Sequence, residues 1–246
     1  MKSNSTVIII PARLGAIRLP KKPLIDIDGT PMIIRVHNQA VKANIGKVVI
    51  AGCDGELENL IRSYNFNYVH TDPKLASGTD RVYAAYQNLG EKFDNIINLQ
   101  GDMPHVNPNT IIKVNDILND TKNADIEIAT AATRLDNDDN IAIEDMNIVK
   151  VIKTAQDIAL YFTRHSIKLS ENFKHIGIYG FRPISLSKFI SLPQSMLEKD
   201  ERLEQLRALE NNMKIKVVIT EDPNISIDTK EDLLKSKKYL QEYEKI

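Results

Sequence analysis

The 246-residue chain lacks several features that would mark other classes of protein. Cys53 is its only cysteine, so no intramolecular disulfide can form and a reducing compartment is the simplest setting. The apolar run near the start, Val7–Ile10, is too short for a signal-peptide core or a membrane span. The net charge of −1 provides no global basic field for nucleic acid. We therefore expect a soluble cytoplasmic protein that holds anionic ligands with local clusters of Lys and Arg.

Apolar runs alternate with amphipathic stretches over the first half of the chain. Strands are predicted at Thr6–Ile10, Lys47–Gly52, Asn95–Gln100, Ile126–Ala132 and Ile215–Ile219. Helices are predicted at Pro31–Asn44, Gly55–Tyr64, Gly78–Leu89 and Asn107–Leu118, where apolar residues recur every three or four positions. Strands that are apolar on both faces are typical of parallel sheets covered by helices. The pattern predicts an α/β fold with an open, mostly parallel sheet.

The pattern changes after about residue 145. Three strands are predicted in succession without a long helix, at Ile148–Lys153, Ala159–Thr163 and His175–Phe181, which is typical of an antiparallel β-arm inserted into the sheet protein. Two further helices are predicted, at Arg202–Met213 and Lys230–Glu244, the second capped by Asp228 or Thr229. Because no repeat or long linker divides the chain, we expect one domain over residues 1–246 with the β-arm at about 145–213.

The strongest chemical signal is the loop after the first strand, residues 11–24. It carries four cations within ten residues, Arg13, Arg18, Lys21 and Lys22. The loop follows the carboxyl end of a buried strand, where open α/β sheets bind their ligands. An anion such as a triphosphate, or solvent, must offset the repulsion between these cations. The GxxxxGK[ST] spacing of a P-loop is absent. A solvated basic loop is the alternative, but three prolines stiffen the segment and favour a binding role.

Two carboxylates are candidate magnesium ligands. Asp102 follows Gly101 directly after a predicted buried strand, and Asp228 precedes the last predicted helix. Magnesium in proteins uses one or two carboxylates together with substrate phosphates. Asp102 in a simple Gly-Asp turn, or Asp228 as only a helix cap, would explain each residue alone. The sequence does not show whether the two carboxylates are adjacent.

A loop of small residues, residues 76–81, opens another predicted helix. The backbone N–H groups at such a helix start can bind an anion or a nucleotide. On these six residues alone, an ordinary capped helix start is the favoured explanation.

Taken together, these motifs resemble the 3-deoxy-manno-octulosonate (Kdo) cytidylyltransferases, also called CMP-Kdo synthetases. Seven motifs of that family stand in order along nearly the whole chain, at Pro11–Leu24, Ser77–Arg81, Asn98–Pro104, Tyr161–Arg164, His175–Arg182, Leu203–Arg207 and Ile227–Leu233. Each is weak alone, and the ordered set is specific. The resemblance implies a nucleotide-diphospho-sugar transferase-like fold, usually dimeric. It also implies transfer of CMP from CTP to the anomeric hydroxyl of Kdo, with release of pyrophosphate, in the pathway to bacterial lipopolysaccharide.

The resemblance assigns roles to matching positions. It implies Arg13, Lys22 and Asp102 as catalytic residues. The nucleotide-binding residues would be Ala12, Arg13, Arg18, Lys22, Ser77 and Gln100. The metal ligands for Mg²⁺ would be Asp102 and Asp228. The sugar-binding residues would be Arg164, His175, Tyr179, Glu204 and Gln205. For the last group, packing is the alternative: His175 and Tyr179 would face one side of a strand, and Leu203–Leu209 fits a core stripe.

The chain departs from the family pattern at four places. Ala76, Met103 and Lys21 stand where the family usually has Gln, Glu and Gly, and residues 166–172 lack the family's Pro and Arg. The phosphate and metal positions are intact. These departures leave open another acidic sugar, such as amino-Kdo or a sialic acid, as the substrate. A catalytically silent nucleotide-binding relative is the alternative of a different class.

Overall fold

The computed structural model describes residues 5–15, 18–136, 139–221 and 225–243. Residues 16 and 17 of the basic loop, and Glu244 at the predicted end of the last helix, lie outside these ranges. The described residues form two compact units, the first from residues 5–111 with 225–243 and the second from residues 112–221. The expectation of a single domain stays a prediction. In the described ranges no helix has the length and apolar character needed to cross a membrane.

The secondary structure alternates between strands and helices along most of the chain. The strands β1 to β11 are Thr6–Pro11, Asp26–Ile27, Thr30–Pro31, Lys47–Gly52, Tyr68–His70, Asn95–Leu99, Ile128–Leu135, Lys150–Lys153, Ala159–Thr163, Asn172–Phe181 and Ile215–Ile219. The helices α1 to α9 are Met32–Ala43, Gly55–Ser63, Gly78–Leu89, Pro108–Asn119, Asn140–Glu144, Pro183–Ser191, Met196–Glu201, Gln205–Glu210 and Lys230–Tyr243.

The first unit contains a parallel sheet in the order β6-β1-β4-β5. Its central strand, β1, pairs with β4 and with β6, and the residues Val7–Ile10 are fully buried. The strands predicted at Thr6–Ile10, Lys47–Gly52 and Asn95–Gln100 are confirmed to within one residue, because continuous apolar runs are covered on both faces. The short edge strand β5 was not predicted.

The second unit contains antiparallel pairing. Strand β10 pairs antiparallel with β7 and with β8, and β8 pairs antiparallel with β9, while β11 pairs parallel with β7. The prediction of an antiparallel excursion after residue 145 is confirmed. The predicted strand Ile126–Ala132 is displaced: β7 runs to Leu135, because Thr133, Arg134 and Leu135 pair with the start of β10. The α/β class, mostly parallel with some antiparallel strands, is confirmed.

The predicted helix Arg202–Met213 is wrong at both ends, since α8 spans only Gln205–Glu210. Helix α7 ends at Glu201, and the residue after it, Arg202, adopts the left-handed conformation with φ of 55°. The apolar spacing continues across the break, since Leu203 and Leu206 are both buried. A stripe of apolar residues therefore identified the buried face but not the interruption of the helix.

Candidate active site

A cleft of about 560 Å³ in the first unit lies at the carboxyl ends of β1 and β6. All eight residues predicted for nucleotide and metal in this unit line it: Ala12, Arg13, Arg18, Lys22, Ser77, Gln100, Asp102 and Asp228. These residues come from four separate segments of the chain. The fold therefore brings the predicted triphosphate and metal positions together, and their binding roles remain predictions.

Lys22 lies between the two candidate metal ligands. Its Nζ atom is 2.8 Å from Asp102 Oδ2 and 2.9 Å from Asp228 Oδ1. Burial alone lowers the pKa of the Lys22 ammonium, but the two carboxylates outweigh burial and raise the pKa above its ordinary value. Arg18 adds a second cation, with Nη2 at 3.5 Å from Asp228 Oδ1. The two carboxylates thus already converge on a positive charge.

The backbone explains why Asp102 and Asp228 are adjacent. The Ile227 N–H donates to the carbonyl oxygen of Asp102 at 2.9 Å. Ile227 is fully buried in a cluster with Leu19, Met32 and other apolar side chains. Residues 225–228, which precede α9, do not form a strand. A single backbone hydrogen bond and a buried isoleucine place Asp228 beside Asp102 instead.

Asp228 does not cap α9. Thr229 Oγ1 accepts from the Asp232 N–H at 3.2 Å, and Asp232 Oδ2 accepts from the Thr229 N–H at 2.9 Å. This reciprocal pair is a capping box. Thr229 is therefore the cap, and the Asp228 carboxylate is directed to Lys22. The explanation of Asp228 as only a cap is excluded.

Gly101 and Gln100 shape the floor of the cleft. A Cβ atom on Gly101 would lie 2.9 Å from the Pro11 carbonyl oxygen, so only glycine fits where these two chain segments meet. Gln100 Nε2 donates to Asn98 Oδ1 at 2.8 Å, which orients the Gln100 side chain. Close packing thus requires the glycine of the Gly-Asp pair, and the aspartate that follows it places a carboxylate at the cleft.

Ser77 begins α3 with a capping box. Its Oγ atom accepts from the Asp80 N–H at 3.1 Å, and the Asp80 carboxylate accepts from the Ser77 N–H at 3.0 Å. The ordinary capped helix start is therefore present, and it faces the cleft. The two readings of this motif are compatible, because the cap uses the Ser77 hydroxyl and the helix start still lines the ligand space.

Charges of the basic loop are partly offset within the protein. Lys21 Nζ pairs with Glu56 at 2.7 Å, while Lys22 and Arg18 pair with the aspartates described above. Arg13 is exposed and forms no ion pair with the residues that the structure describes. Among the described residues of the loop, Arg13 is therefore the cation whose charge no carboxylate of the protein offsets.

Arg81, which has no role among the residues predicted above, also lines the cleft. Arg81 is only 2% exposed, donates to Thr71 Oγ1, and forms no ion pair within the described ranges. A buried guanidinium without a carboxylate is costly, which is typical of a group that meets an anionic or polar ligand. The sequence does indicate that Arg81 is buried, because it falls on the same face of α3 as the buried Val82 and Ala85.

The five predicted sugar-binding residues all belong to the second unit. Arg164 follows β9 and is half-buried, and Gln205 is buried at the start of α8 beside the half-buried Glu204. His175 and Tyr179 lie on β10, and their ring centroids are 5.5 Å apart. The prediction that these two rings face one side is confirmed. A bulge between Ile176 and Tyr179 interrupts the strand register there.

Hydrogen bonding fixes the tautomer of His175. Thr130 Oγ1 lies 2.7 Å from the Ile178 carbonyl oxygen and 2.9 Å from His175 Nε2. The hydroxyl has one proton, which goes to the carbonyl, so Nε2–H of His175 donates to Thr130. Burial lowers the pKa of His175 to about 3, so the ring is neutral near pH 7. His175 Nδ1 is therefore an acceptor, suited to a hydroxyl group.

Comparisons with known proteins agree with this geometry. The family model described as Cytidylyltransferase matches residues 7–215. The 3-deoxy-manno-octulosonate cytidylyltransferase of Rickettsia prowazekii (strain Madrid E) is 40% identical, with 100% of this chain and 99% of the relative covered. The enzyme of the same name from Bartonella bacilliformis is 41% identical, with 95% and 98% covered.

Solved structures give the same result. CMP:2-keto-3-deoxy-manno-octonic acid synthetase complexed with CTP matches with a TM-score of 0.88 and 30% identity, over 97% of this chain and 99% of that one. The 4-diphosphocytidyl-2C-methyl-D-erythritol synthase of Anaerococcus prevotii matches with a TM-score of 0.64 and 16% identity, over 97% of each chain, and so supports the fold alone. This chain belongs to the cytidylyltransferase family and, within it, to the 3-deoxy-manno-octulosonate cytidylyltransferases.

Proposed function

We propose that this chain transfers CMP from CTP to the anomeric hydroxyl of Kdo and releases pyrophosphate. The observation that carries the proposal is the cleft in which Lys22 joins Asp102 and Asp228, in a chain 40% identical to a named Kdo cytidylyltransferase. Both substrates are anions. The site must therefore supply positive charge to two partners that repel each other.

The cations of the cleft are assigned to the triphosphate. Arg13 and Arg18 are exposed at its rim, while Lys22 lies deeper between the carboxylates. These groups neutralise the phosphate oxygens and hold the α-phosphorus in place, and phosphoryl-type transfer depends mainly on such positioning and neutralisation. Ala12, Ser77 and Gln100 are assigned to the nucleoside part of CTP. The attacking hydroxyl loses its proton as the new O–P bond forms and the bond to pyrophosphate breaks.

Magnesium is proposed as the cofactor. No group of three or more His, Cys, Asp or Glu side chains arranged for a metal occurs among the described residues. Two carboxylates do converge on the Lys22 ammonium, and oxygen ligands that already surround a cation fit magnesium completed by phosphate oxygens. Asp102 and Asp228 would hold the ion. When bound there, magnesium would neutralise charge on the phosphate oxygens.

The residues of the second unit are assigned to the sugar acid. The Arg164 guanidinium suits bidentate pairing with the sugar carboxylate. His175, as an Nδ1 acceptor, suits a sugar hydroxyl, and Tyr179, Glu204 and Gln205 are assigned to the remaining hydroxyls. We further propose a cytoplasmic homodimer whose dimer contact lies in the β-arm at about 145–213, acting in lipopolysaccharide biosynthesis. These last assignments follow from the resemblance.

Pyrophosphate release tests the proposal directly. The protein is incubated with CTP, magnesium and Kdo, beside sialic acid as the competing sugar and ATP, GTP and UTP as competing nucleotides. Release that needs both CTP and Kdo is expected. Asp102→Asn is expected to lower the rate at least about a hundredfold while CTP binding changes little, because the carboxylate acts on the transferred phosphate. No release with any pair from a folded protein, or near-normal turnover of Asp102→Asn, contradicts the proposal.

A further inference from the structure

Glu201 and Lys150 are nearly buried charges that the proposed reaction does not use. Glu201 is 8% exposed and Lys150 is 3% exposed. Burying a charge is costly unless its hydrogen bonds are well satisfied. The partners of these two groups therefore indicate what they do for the fold.

The Glu201 carboxylate holds the segment that carries Arg164. Its Oε2 atom accepts from the backbone N–H of Arg164 at 2.9 Å. Its Oε1 atom accepts from Thr163 Oγ1 at 2.8 Å and from the Tyr161 hydroxyl at 3.3 Å. Burial raises the pKa of the Glu201 carboxyl, but these donors together outweigh burial and lower the pKa below its ordinary value, so the carboxylate is ionised. One carboxylate thus fixes three of the four residues in the motif Tyr161–Arg164.

Lys150 binds the main chain of the same residue, Arg164, through the following peptide group. Its ammonium donates to the Arg164 carbonyl oxygen at 3.1 Å and to the Asp145 carbonyl oxygen at 2.7 Å. The N–H of Arg164 therefore points to a negative charge and its C=O to a positive charge. The guanidinium itself makes one hydrogen bond to backbone, from Nη1 to the Met146 carbonyl oxygen at 3.2 Å. The main chain of Arg164 is held at both ends, while its side chain stays half-buried.

We propose that Glu201 is a positioning residue that sets the place of Arg164 for the carboxylate of the sugar acid. The inference rests on the proposed function, because it takes Arg164 as the partner of that carboxylate. Groups that orient a binding side chain in this way govern how well its charge meets the ligand. Glu201 itself touches no substrate and acts through Arg164.

Glu201→Gln tests the inference because it removes the negative charge and leaves one acceptor oxygen in place of two. If that oxygen faces the Thr163 hydroxyl, the NH₂ group opposes the Arg164 N–H; if it faces the Arg164 N–H, the Thr163 hydroxyl must turn and accept, and in both cases the charge-assisted hydrogen bonds are lost. The expected result is a rise of about tenfold in KM for Kdo, with kcat and KM for CTP changed by less than about threefold. A rise in KM for both substrates, or no rise, overturns the inference.

Glu198→Gln is the matched control. Glu198 lies on the same short helix and is 6% exposed, but its carboxylate receives Arg207 Nε at 2.8 Å and Nη2 at 2.6 Å. The control loses a buried carboxylate without disturbing residues 161–164. We expect it to lower Tm and to leave KM for Kdo unchanged. An equal rise of KM in both variants would assign Glu201 a merely structural role and overturn the inference.

A double-substitution cycle separates action through Arg164 from general loosening of the fold. In the Arg164→Ala background, Glu201→Gln should add less than about twofold to KM for Kdo, because the side chain being positioned is gone. A full tenfold addition contradicts the inference. If Glu201→Gln does not fold, Thr163→Val weakens the same contact more gently, and an unchanged KM there overturns the inference. Turnover by the wild type decides the proposed function separately: an inactive wild type removes both, and an active wild type with unaffected variants removes only the inference.

Discussion

Replacing Lys22 by Met is expected to tighten the binding of a divalent ion to the nucleotide-free protein. In the wild type, the Lys22 ammonium occupies the space between Asp102 and Asp228, with Nζ–O distances of 2.8 and 2.9 Å. With Arg18, the four side chains carry two positive and two negative formal charges, so the cluster is neutral. An incoming ion must displace the ammonium. Met is close to Lys in length and removes this competitor.

The expected change in Kd follows from the hydrogen bonds of Lys22 that the ion must break. A hydrogen bond between charged groups contributes about 1.5–3 kcal/mol. The low end applies here, because the Asp228 side chain is 44% exposed and solvent screens its pair. A cost of about 1.5 kcal/mol corresponds to about a tenfold change in Kd. We therefore expect Lys22→Met to bind Mn²⁺, as a probe for Mg²⁺, about ten times more tightly than the wild type without CTP.

The assay is a titration with Mn²⁺ in which the free ion is measured by its electron paramagnetic resonance signal. Lys21→Met is the matched control, because Lys21 lies in the same loop but pairs with Glu56 at 2.7 Å. The control should bind Mn²⁺ like the wild type. Turnover should fall: the rate of pyrophosphate release by Lys22→Met should be at least about a hundredfold lower than that of the wild type, because a cation that binds the triphosphate is absent.

Equal or weaker Mn²⁺ binding by Lys22→Met would refute this reasoning. Tighter Mn²⁺ binding together with slower turnover distinguishes this result from misfolding, because a misfolded variant would lose both Mn²⁺ binding and turnover. The reasoning also implies that nucleotide and metal bind cooperatively. A triphosphate that draws Lys22 and Arg18 away leaves the two carboxylates with an uncompensated negative charge.

Two other substitutions test the buried histidines. Thr130→Val removes the acceptor for Nε2–H of His175. The imidazole ¹⁵N chemical shifts should then show loss of the Nε2–H tautomer, and KM for Kdo should rise. An unchanged tautomer would contradict the assignment. Burial lowers the pKa of His37 to about 4, while the unfolded value is 6.5, so stability from neutral His37 is full above pH 6.5 and is lost towards pH 4. This one group should lower the free energy of unfolding by about 2 kcal/mol between pH 7 and pH 5. His37→Phe, which keeps the stacking on Phe66, should remove that part of the decline in urea unfolding, and an identical decline in both proteins would refute it.

The sequence predicts the three long strands of the first unit well because burial on both faces produces continuous apolar runs. Residues 7–10 and 48–51 contain no polar side chain. The end of β7 behaves differently. Thr133, Arg134 and Leu135 become strand only through pairing with β10, nearly forty positions later, and nothing in their own pattern requires it. Elements formed by local burial are predictable, while elements formed by a partner strand are not.

The same distinction applies to the helix predicted at Arg202–Met213. Leu203 and Leu206 recur at helical spacing and are buried as expected. The break at Arg202 comes from the end of α7, where Arg202 takes a positive φ and its N–H donates to the Glu198 carbonyl oxygen. No glycine marks that position, so the usual signal for a helix end is missing. Glu201 shows a related limit: its partners, residues 161–164, are remote in sequence and only the fold brings them to it.

Asp228 shows which features of the site a local sequence pattern predicts and which it does not. Asp228 with Glu231 and Thr229 with Asp232 both have the spacing of a capping box, so the sequence leaves both caps open. The hydrogen bonds between Thr229 and Asp232 assign the cap to Thr229 and leave the Asp228 carboxylate for another partner. The partner is not readable in this way, because Lys22 lies 206 positions away and its other contact, Asp102, lies 80 positions beyond Lys22. Burial of Ile227 and its hydrogen bond to Asp102 supply the missing step. The sequence of a helix start can therefore leave a carboxylate with two possible roles, and the packing of a neighbouring apolar residue decides which cation it meets.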